Sequence, residues 1–257
     1  ILCPVARMDL RLAPADRVHL VDASLSKVAR ISCPIPSEIG RELQRHTANR
    51  GRWARLLTPS ARWKRSHDLL DEDEELPGTR PSDRYYKSDL WNEVAKCLPF
   101  SVDEVFASRR NTHINLSESK AWRSAERSAA DDTPNSIVLI GTDSQVSLAV
   151  HDKGRAGSPQ LNELLVEDLP TVLGANIRPR GFYINTHDNG ADDPTRDAPL
   201  RAPSLPLPDW WAPAALGDFR CLDKSLKKHY ENHLRMEGVP SLLLLVPEGH
   251  ELRSKHL

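Results

Sequence analysis

Four acidic side chains stand in settings whose residue types fit metal-dependent chemistry: Asp22 in VHLVDAS, Glu118 in HINLSESKAW, Asp143 in VLIGTDSQ and Asp192 in NGADDPTR. Asp22 and Asp143 each close a short apolar run, residues 18–21 and 137–140. Glu118 opens a helical pattern, and Asp192 follows an Asn-Gly turn. Carboxylates at strand ends and helix starts are carried to the C-terminal edge of an α/β sheet, where such sheets place their sites. Four converging carboxylates repel one another unless divalent cations lie among them. Hard oxygen ligands suit Mg²⁺, with Mn²⁺ as the alternative ion. Taken singly, each acid reads as a solvated side chain or a helix cap, Glu118 above all because of its place near a helix start. The ordered set of four is what turns the reading toward a metal site.

The elements that must position these groups follow from periodicity. Residues 17–23 (RVHLVDA) and 136–142 (SIVLIGT) read as buried strands, and 180–185 (RGFYIN) as a third. A helix is expected over 37–48 with Ser37 as its N-cap. Trp91, Val94 and Leu98 recur at helical spacing, and a second long helix is expected from Ser117, with Ala121, Trp122, Ala125 and Ala129 on one stripe. A short helix is expected over 144–151, and another after Ser158-Pro159 toward Gly174. Residues 191–197 read as a turn or short helix. Strands alternating with helices indicate a mixed α/β sheet flanked by helices. Residues 66–86 read as a loop, and the proline-rich PSLPLPDWWAP as extended chain.

Composition narrows the class. The 257 residues are 39% apolar and only 5% aromatic, so the core must be mainly aliphatic, and a net charge of −1 argues against a surface basic all over. The charge is nevertheless polarised. Residues 41–66 hold eight Lys/Arg against one Glu, a net of +7, and residues 68–79 hold six acids and no base. Cysteines 3, 33, 97 and 221 show neither paired nor framework spacing and read as reduced, as in an intracellular protein of cytoplasm or nucleus. The longest apolar run, residues 242–246, is too short for a membrane span, and no signal peptide is visible.

The order Asp, Glu, Asp, Asp in the contexts DAS, HIN-x-x-E-x-x-A, TDS and N-x-A-D-x-P-[ST]-R resembles the ribonuclease H domain of retroelement reverse transcriptases. DSQVSLAVHDKGRAGSPQLNELL resembles the stretch that follows the third carboxylate in such domains, and NTHDNGADDPTR their ending. The resemblance spans roughly residues 15–200. It implies a five-stranded sheet whose first three strands form an antiparallel meander before the Glu-bearing helix. The 96 positions between Asp22 and Glu118 exceed what a meander needs, so an insertion is expected over about 40–90. Residues 1–16 would then be the trailing edge of a polymerase connection, with the polymerase itself elsewhere. Residues 17–202 would be the ribonuclease H-like domain, and 203–257 a proline-rich linker with a C-terminal extension.

The resemblance implies two-metal hydrolysis of the RNA strand of an RNA·DNA hybrid, leaving 5′-phosphate and 3′-hydroxyl ends. Asp22 would bridge two Mg²⁺ ions, with Glu118 and Asp143 completing one site and Asp192 the other. His187, five residues before Asp192, is a candidate proton shuttle, although an exposed loop histidine is the more ordinary reading. His113 is expected to order the strand before Glu118. Substrate grip is expected from Arg50, Arg52, Arg55, Lys64 and Arg65, interleaved with Trp53 and Trp63. The same segment reads equally as an amphipathic helical pair with its tryptophans in the core. Lys153 and Arg155, flanking Gly154, are a smaller candidate for phosphate contact.

Several positions depart from the family pattern. The chain after DAS reads LSKVARIS with no glycine, Ser117 and Ser119 flank the Glu where apolar residues are usual, and Gly190 stands in place of a proline. These departures keep open an inactive descendant that serves as a nucleic-acid-binding or scaffold domain.

Overall fold

The computed structural model describes residues 9, 11–47, 64, 67, 89–108 and 112–226. The two apolar runs singled out above become neighbouring central strands. Strand β1 (Ala13–Ala23) pairs in parallel with β4 (Ser136–Thr142), and both are buried over most of their length. Strand β2 (Lys27–Pro34) folds back antiparallel on β1, β3 (Ser101–Ala107) pairs antiparallel with β2, and β5 (Arg178–Tyr183) lies parallel to β4. The order is β3-β2-β1-β4-β5, a five-stranded mixed sheet.

Helices cover both faces. Alternation along β1 sends Val18 and Leu20 to one face and Val21 and Ala23 to the other, and a separate hydrophobic cluster forms on each side. The first face packs on α1 (Ser37–Leu43) and α2 (Asp89–Cys97) through Ile39, Leu43, Leu90, Trp91 and Val94. Trp91 stacks on Phe182 of β5 with ring centroids 3.6 Å apart, and its Nε1 donates to the His46 carbonyl at 2.8 Å. The second face packs on α3 (Ile114–Asp132), α4 (Gln145–Lys153) and α5 (Pro159–Gly174). The stripe Ala121, Trp122, Ala125 and Ala129 is the buried side of α3, as its spacing predicts. Two short helices follow, α6 (Asp192–Thr195) and α7 (Trp211–Ala215).

Boundaries shift for physical reasons. Helix α3 starts at Ile114 rather than Ser117, because His113 adopts extended backbone and its Nδ1 accepts the Asn115 amide at 3.2 Å. His113 is thus a helix cap, not an organiser of a strand before Glu118. Pro36, not Ser37, occupies the N-cap of α1, which closes as a 3-10 turn over Gln44–His46. The hairpin after DAS needs no glycine. Ser24 Oγ accepts the amides of Ser26 and Lys27 at 3.3 and 3.0 Å, so a serine side chain closes the turn. Residues 35–100 separate β2 from β3, so the expected insertion sits inside the meander; most of 48–88 lies outside the described residues. The stretch read as extended chain instead supplies Trp210 and Trp211 to the first core, and Ala214 and Leu222 just after it join them. Its tryptophans find apolar cover on the domain and are buried there. Among the described residues no helix is long and apolar enough to cross a membrane.

Two glycines set how closely the layers approach. A Cβ on Gly141 would lie 2.4 Å from Phe182 Cε2 and 2.6 Å from Leu20 Cδ2, and one on Gly181 would lie 2.3 Å from Leu148 Cδ1. Gly141→Ala is therefore expected to destabilise the fold by roughly 1–3 kcal/mol, the cost of overpacking a filled core. Denaturant unfolding checks this, and an unchanged midpoint would contradict the packing described.

Candidate metal centre

Register delivers the acids. The β1–β4 pairing sets Leu20 against Gly141, which carries Asp22 to the level of Asp143, just past the end of β4. Helix α3 crosses the same end and presents Glu118 from its second turn. One carboxylate oxygen from each of Asp22, Glu118 and Asp143 lies within 4.8 Å of the others. Asp22 and Glu118 are 5% and 7% exposed, so neither is the solvated surface acid that a lone carboxylate suggests.

The electrostatics are those of an anion cluster short of positive charge. Burial, then Asp143, and more weakly Asp192, push the Asp22 carboxyl up to about 6, opposed by a hydrogen bond from Thr195. Burial, then Asp22 and Asp143, push Glu118 up to about 9. Glu118 Oε2 is buried and has no hydrogen-bond donor among the described residues. A buried carboxylate oxygen without a donor, facing two further carboxylates, is the donor set of a hard divalent cation. These residues therefore fit a metal, and the three could hold one.

A second layer fixes them. Thr195 Oγ1 lies 2.9 Å from Asp22 Oδ2 and 2.8 Å from the Asp192 carbonyl, and Ser24 Oγ donates to the Thr195 carbonyl at 3.2 Å. Asn189 Nδ2 donates to the Val21 carbonyl at 3.1 Å and to Asp143 Oδ1 at 3.4 Å. Helix α6 is thereby fastened to the ends of β1 and β4. Asn189 and Thr195 sit in the N-x-A-D-x-P-[ST]-R pattern, so the signal for them lay in the sequence without a role attached.

The fourth acid stands apart. Asp192 opens α6, and its charge reaches Asp22, but it is outside the three-residue cluster. Its Oδ1 accepts from Arg196 Nε at 2.7 Å, one helical turn on. The structure thus brings together three of the four expected ligands, because the fourth is ion-paired along its own helix. The neighbouring Asp193 is committed elsewhere, to Arg201. Arg196 also feels the charges of Asp22 and Asp143.

The other candidates disperse. His187 lies exposed on a 3-10 turn (Thr186–Asp188), and its carbonyl, not its ring, is engaged, accepting from Arg201. It lines a small hollow with Lys96, Asp188 and Leu200 instead of joining the carboxylates. Arg50, Arg52, Arg55 and Arg65 lie outside the described residues; Lys64 is half-buried, and its carbonyl accepts the His67 amide. Lys153 and Arg155 are exposed on either side of Gly154, whose φ of 63° ends α4. Cys33, Cys97 and Cys221 are free thiols, the first two buried, and none belongs to a metal-ligand group among the described residues. No family model, no curated protein and no solved structure matches the chain.

Two outcomes follow from this geometry. Unfolded Asp and Glu titrate near pH 4, so the stability that the raised carboxyls provide is complete below that value. It is lost as pH rises through about 6 for Asp22 and about 9 for Glu118. In chelator the melting temperature is expected to fall between about pH 5 and pH 9, and Mg²⁺ or Mn²⁺ to restore it most at the alkaline end. Glu118→Gln should flatten the upper part of that profile and remove the ion's effect; a variant that still responds to the ion would refute the assignment. Thr195→Val, which deletes the donor to Asp22, is expected to weaken Mn²⁺ binding about tenfold by calorimetry, and Thr195→Ser to retain it.

Proposed function

We propose that this chain is a ribonuclease H-like nuclease domain, of the kind carried by retroelement reverse transcriptases, that hydrolyses the RNA strand of RNA·DNA hybrids. One observation carries the reading. The carboxylates of a β1 end, a crossing helix and a β4 end meet at the C-terminal edge of a sheet ordered β3-β2-β1-β4-β5. The resemblance drawn from the sequence implies that arrangement for those three residues. The antiparallel β1-β2-β3 meander ahead of the Glu-bearing helix supports it as well.

Bound Mg²⁺, or Mn²⁺ in its place, supplies an activated water and charge for the leaving 3′ oxygen. The chain's own part is to hold and orient. Asp22, the more buried of the two clustered aspartates, presents one oxygen to the cluster while Thr195 fixes the other. Asn189 orients Asp143, and the dry setting of Glu118 strengthens every charge interaction at the site. The net reaction adds water across one phosphodiester: the P–O3′ bond breaks, the phosphorus keeps the new oxygen as a 5′-phosphate, and the proton ends on the 3′ oxygen. A hybrid is recognised by backbone shape and 2′-hydroxyls, so cleavage has little sequence preference. In this reading the domain works inside the cell, beside a polymerase carried elsewhere.

A second reading, an inactive descendant that binds nucleic acid or acts as a scaffold, is favoured by one observation: Asp192 is ion-paired to Arg196 rather than turned into the cluster. Cleavage of a labelled RNA strand in a hybrid, with Mg²⁺ or Mn²⁺, separates the two. The expected outcome is metal-dependent cutting to 5′-phosphate ends that falls at least about 100-fold in Asp143→Asn, more than the loss of an outer-shell partner gives. Intact hybrid binding without cutting would establish the second reading instead.

A further inference from the structure

Helix α5 is loosely seated on the domain. Of its sixteen residues only Leu161 and Asp168 are buried, while Val166 and Leu169 stand 68% and 40% exposed. A cleft of about 610 Å³ opens between α5, α4 and β5. Pro170, inside the helix, lacks the N–H that would bond one turn back. Few buried contacts and a missing backbone bond mark an element that opens before the rest of its domain.

The contact that α5 makes with α3 is polar at its centre. Asp168 is 3% exposed, and Arg123 Nε of α3 donates to it at 3.4 Å. Arg123 Nη1 donates to Glu167 at 3.0 Å, on the solvent side. Glu126, also buried, has its Oε1 bound by Trp122 Nε1 at 2.7 Å. No N–H or O–H of the described residues donates to its Oε2. The Glu126 side chain is nevertheless hydrogen-bonded with Asp168. Two carboxyl groups can share a hydrogen bond only when one of them is protonated, and the buried oxygen with no donor is where that proton sits. Burial, and then Asp168, keep Glu126 well above the usual carboxylate range, with Trp122 and Arg123 opposing.

The remaining ionisable neighbours add no positive charge. His151 of α4 stacks on Trp122 with centroids 4.7 Å apart, and burial, then Arg123, hold it neutral, at about 3. Asp152 of α4 borders the cleft as a further acid. Arg180 of β5 pairs with Leu139, a member of the first core, and Arg178 shares its face, so both stand across the sheet from α3. With Glu126 protonated, Asp168 and Arg123 balance charge for charge. Without that proton, two buried carboxylates face one guanidinium, an arrangement whose desolvation nothing offsets.

We propose that a proton held between Glu126 and Asp168 clasps α5 to α3, and that its loss to solvent releases α5 while the sheet stays folded. The clasp does not rest on the nuclease reading, because none of its groups belongs to the metal centre.

A released Glu titrates near pH 4. The clasp therefore stabilises the docked helix fully below that value, and the stabilisation is lost as pH rises toward the value Glu126 has when docked. Each opening in this range gives up one proton, so the opening equilibrium grows about tenfold per pH unit. Hydrogen exchange, corrected for the intrinsic pH dependence of amide exchange, reads that equilibrium at the amides of α5. The full chain would carry Glu118→Gln, so that the raised carboxyl of the cluster does not contribute. The expected result is α5 opening that rises about tenfold per unit from about pH 5.5 to about pH 8. Amides of β1 and β4 should stay at least about 100-fold better protected than those of α5 throughout. Glu126→Gln, which keeps the shape and a donor toward Asp168, should abolish the slope. Asp168→Asn should reduce it by a second route, because an ionised Glu126 then faces Arg123 alone. A flat profile in the Glu118→Gln chain, a slope unchanged in either further variant, or sheet amides that open together with α5 would each overturn the proposal.

Discussion

Repulsion among three buried carboxylates is the constraint on which the rest of this structure turns. Asp22, Glu118 and Asp143 are held within 4.8 Å of one another by elements far apart in sequence, and nothing within the cluster is positively charged. Such a group persists only if the surrounding fold gains enough elsewhere to offset it. Two features do so. The parallel pairing of β1 and β4 fixes the two aspartates at one level, and a filled hydrophobic layer on each face keeps the pairing from slipping. Stability and the capacity to hold a cation are thus opposed at one place, the usual condition of a functional site.

Helix α3 couples this centre to the rest of the domain. Glu118, Trp122 and Glu126 follow at four-residue intervals, so one side of the helix carries an acid of the cluster, a core anchor and a second buried acid. Trp122 meets the backbone of β5 where Gly181 leaves room for its ring. Arg123, 7% exposed, binds Glu167 at 3.0 Å and Asp168 at 3.4 Å, and so ties α3 to α5. A buried ion pair of this kind adds little net stability, but it fixes one docking of the two helices over others. Any shift of α3 along its axis would move Glu118 and Glu126 together.

What could be read from the sequence was what repeats with a period or recurs in order. Strands β1 and β4 show as dense apolar runs, and α3 shows in the spacing of Ala121, Trp122, Ala125 and Ala129. The three clustered acids were found through their order and settings. Strand β3 left no trace. SVDEVFA is exposed at nearly every position because it is an edge strand, so neither alternation nor an apolar run marks it. The burial of Trp210 and Trp211 was hidden by the prolines around them, which read locally as extended chain while the tryptophans answer to a distant core. Thr195 and Asn189 were visible as letters in a pattern, but a hydrogen bond across some 170 positions has no local signature. The cleft between α4, α5 and β5 has none either, since its lining comes from those three elements and from α3.

The position of Asp192 bears most on what the cluster can do. Its partner Arg196 is 67% exposed, and the pair lies one turn apart on a helix of four residues. An exposed i,i+4 ion pair of this kind is weak, because water screens it and ordering the arginine costs side-chain entropy. A divalent cation between Asp22 and Asp143 would act on the Asp192 carboxylate with twice the charge and from a drier side. It would repel the Arg196 guanidinium at the same time. The hydrogen bonds of Thr195 and Ser24 already hold α6 against the end of β1, so Asp192 stays beside the cluster whichever partner it takes. An ion pair this weak is compatible with Asp192 as a fourth ligand of a cation held by Asp22 and Asp143.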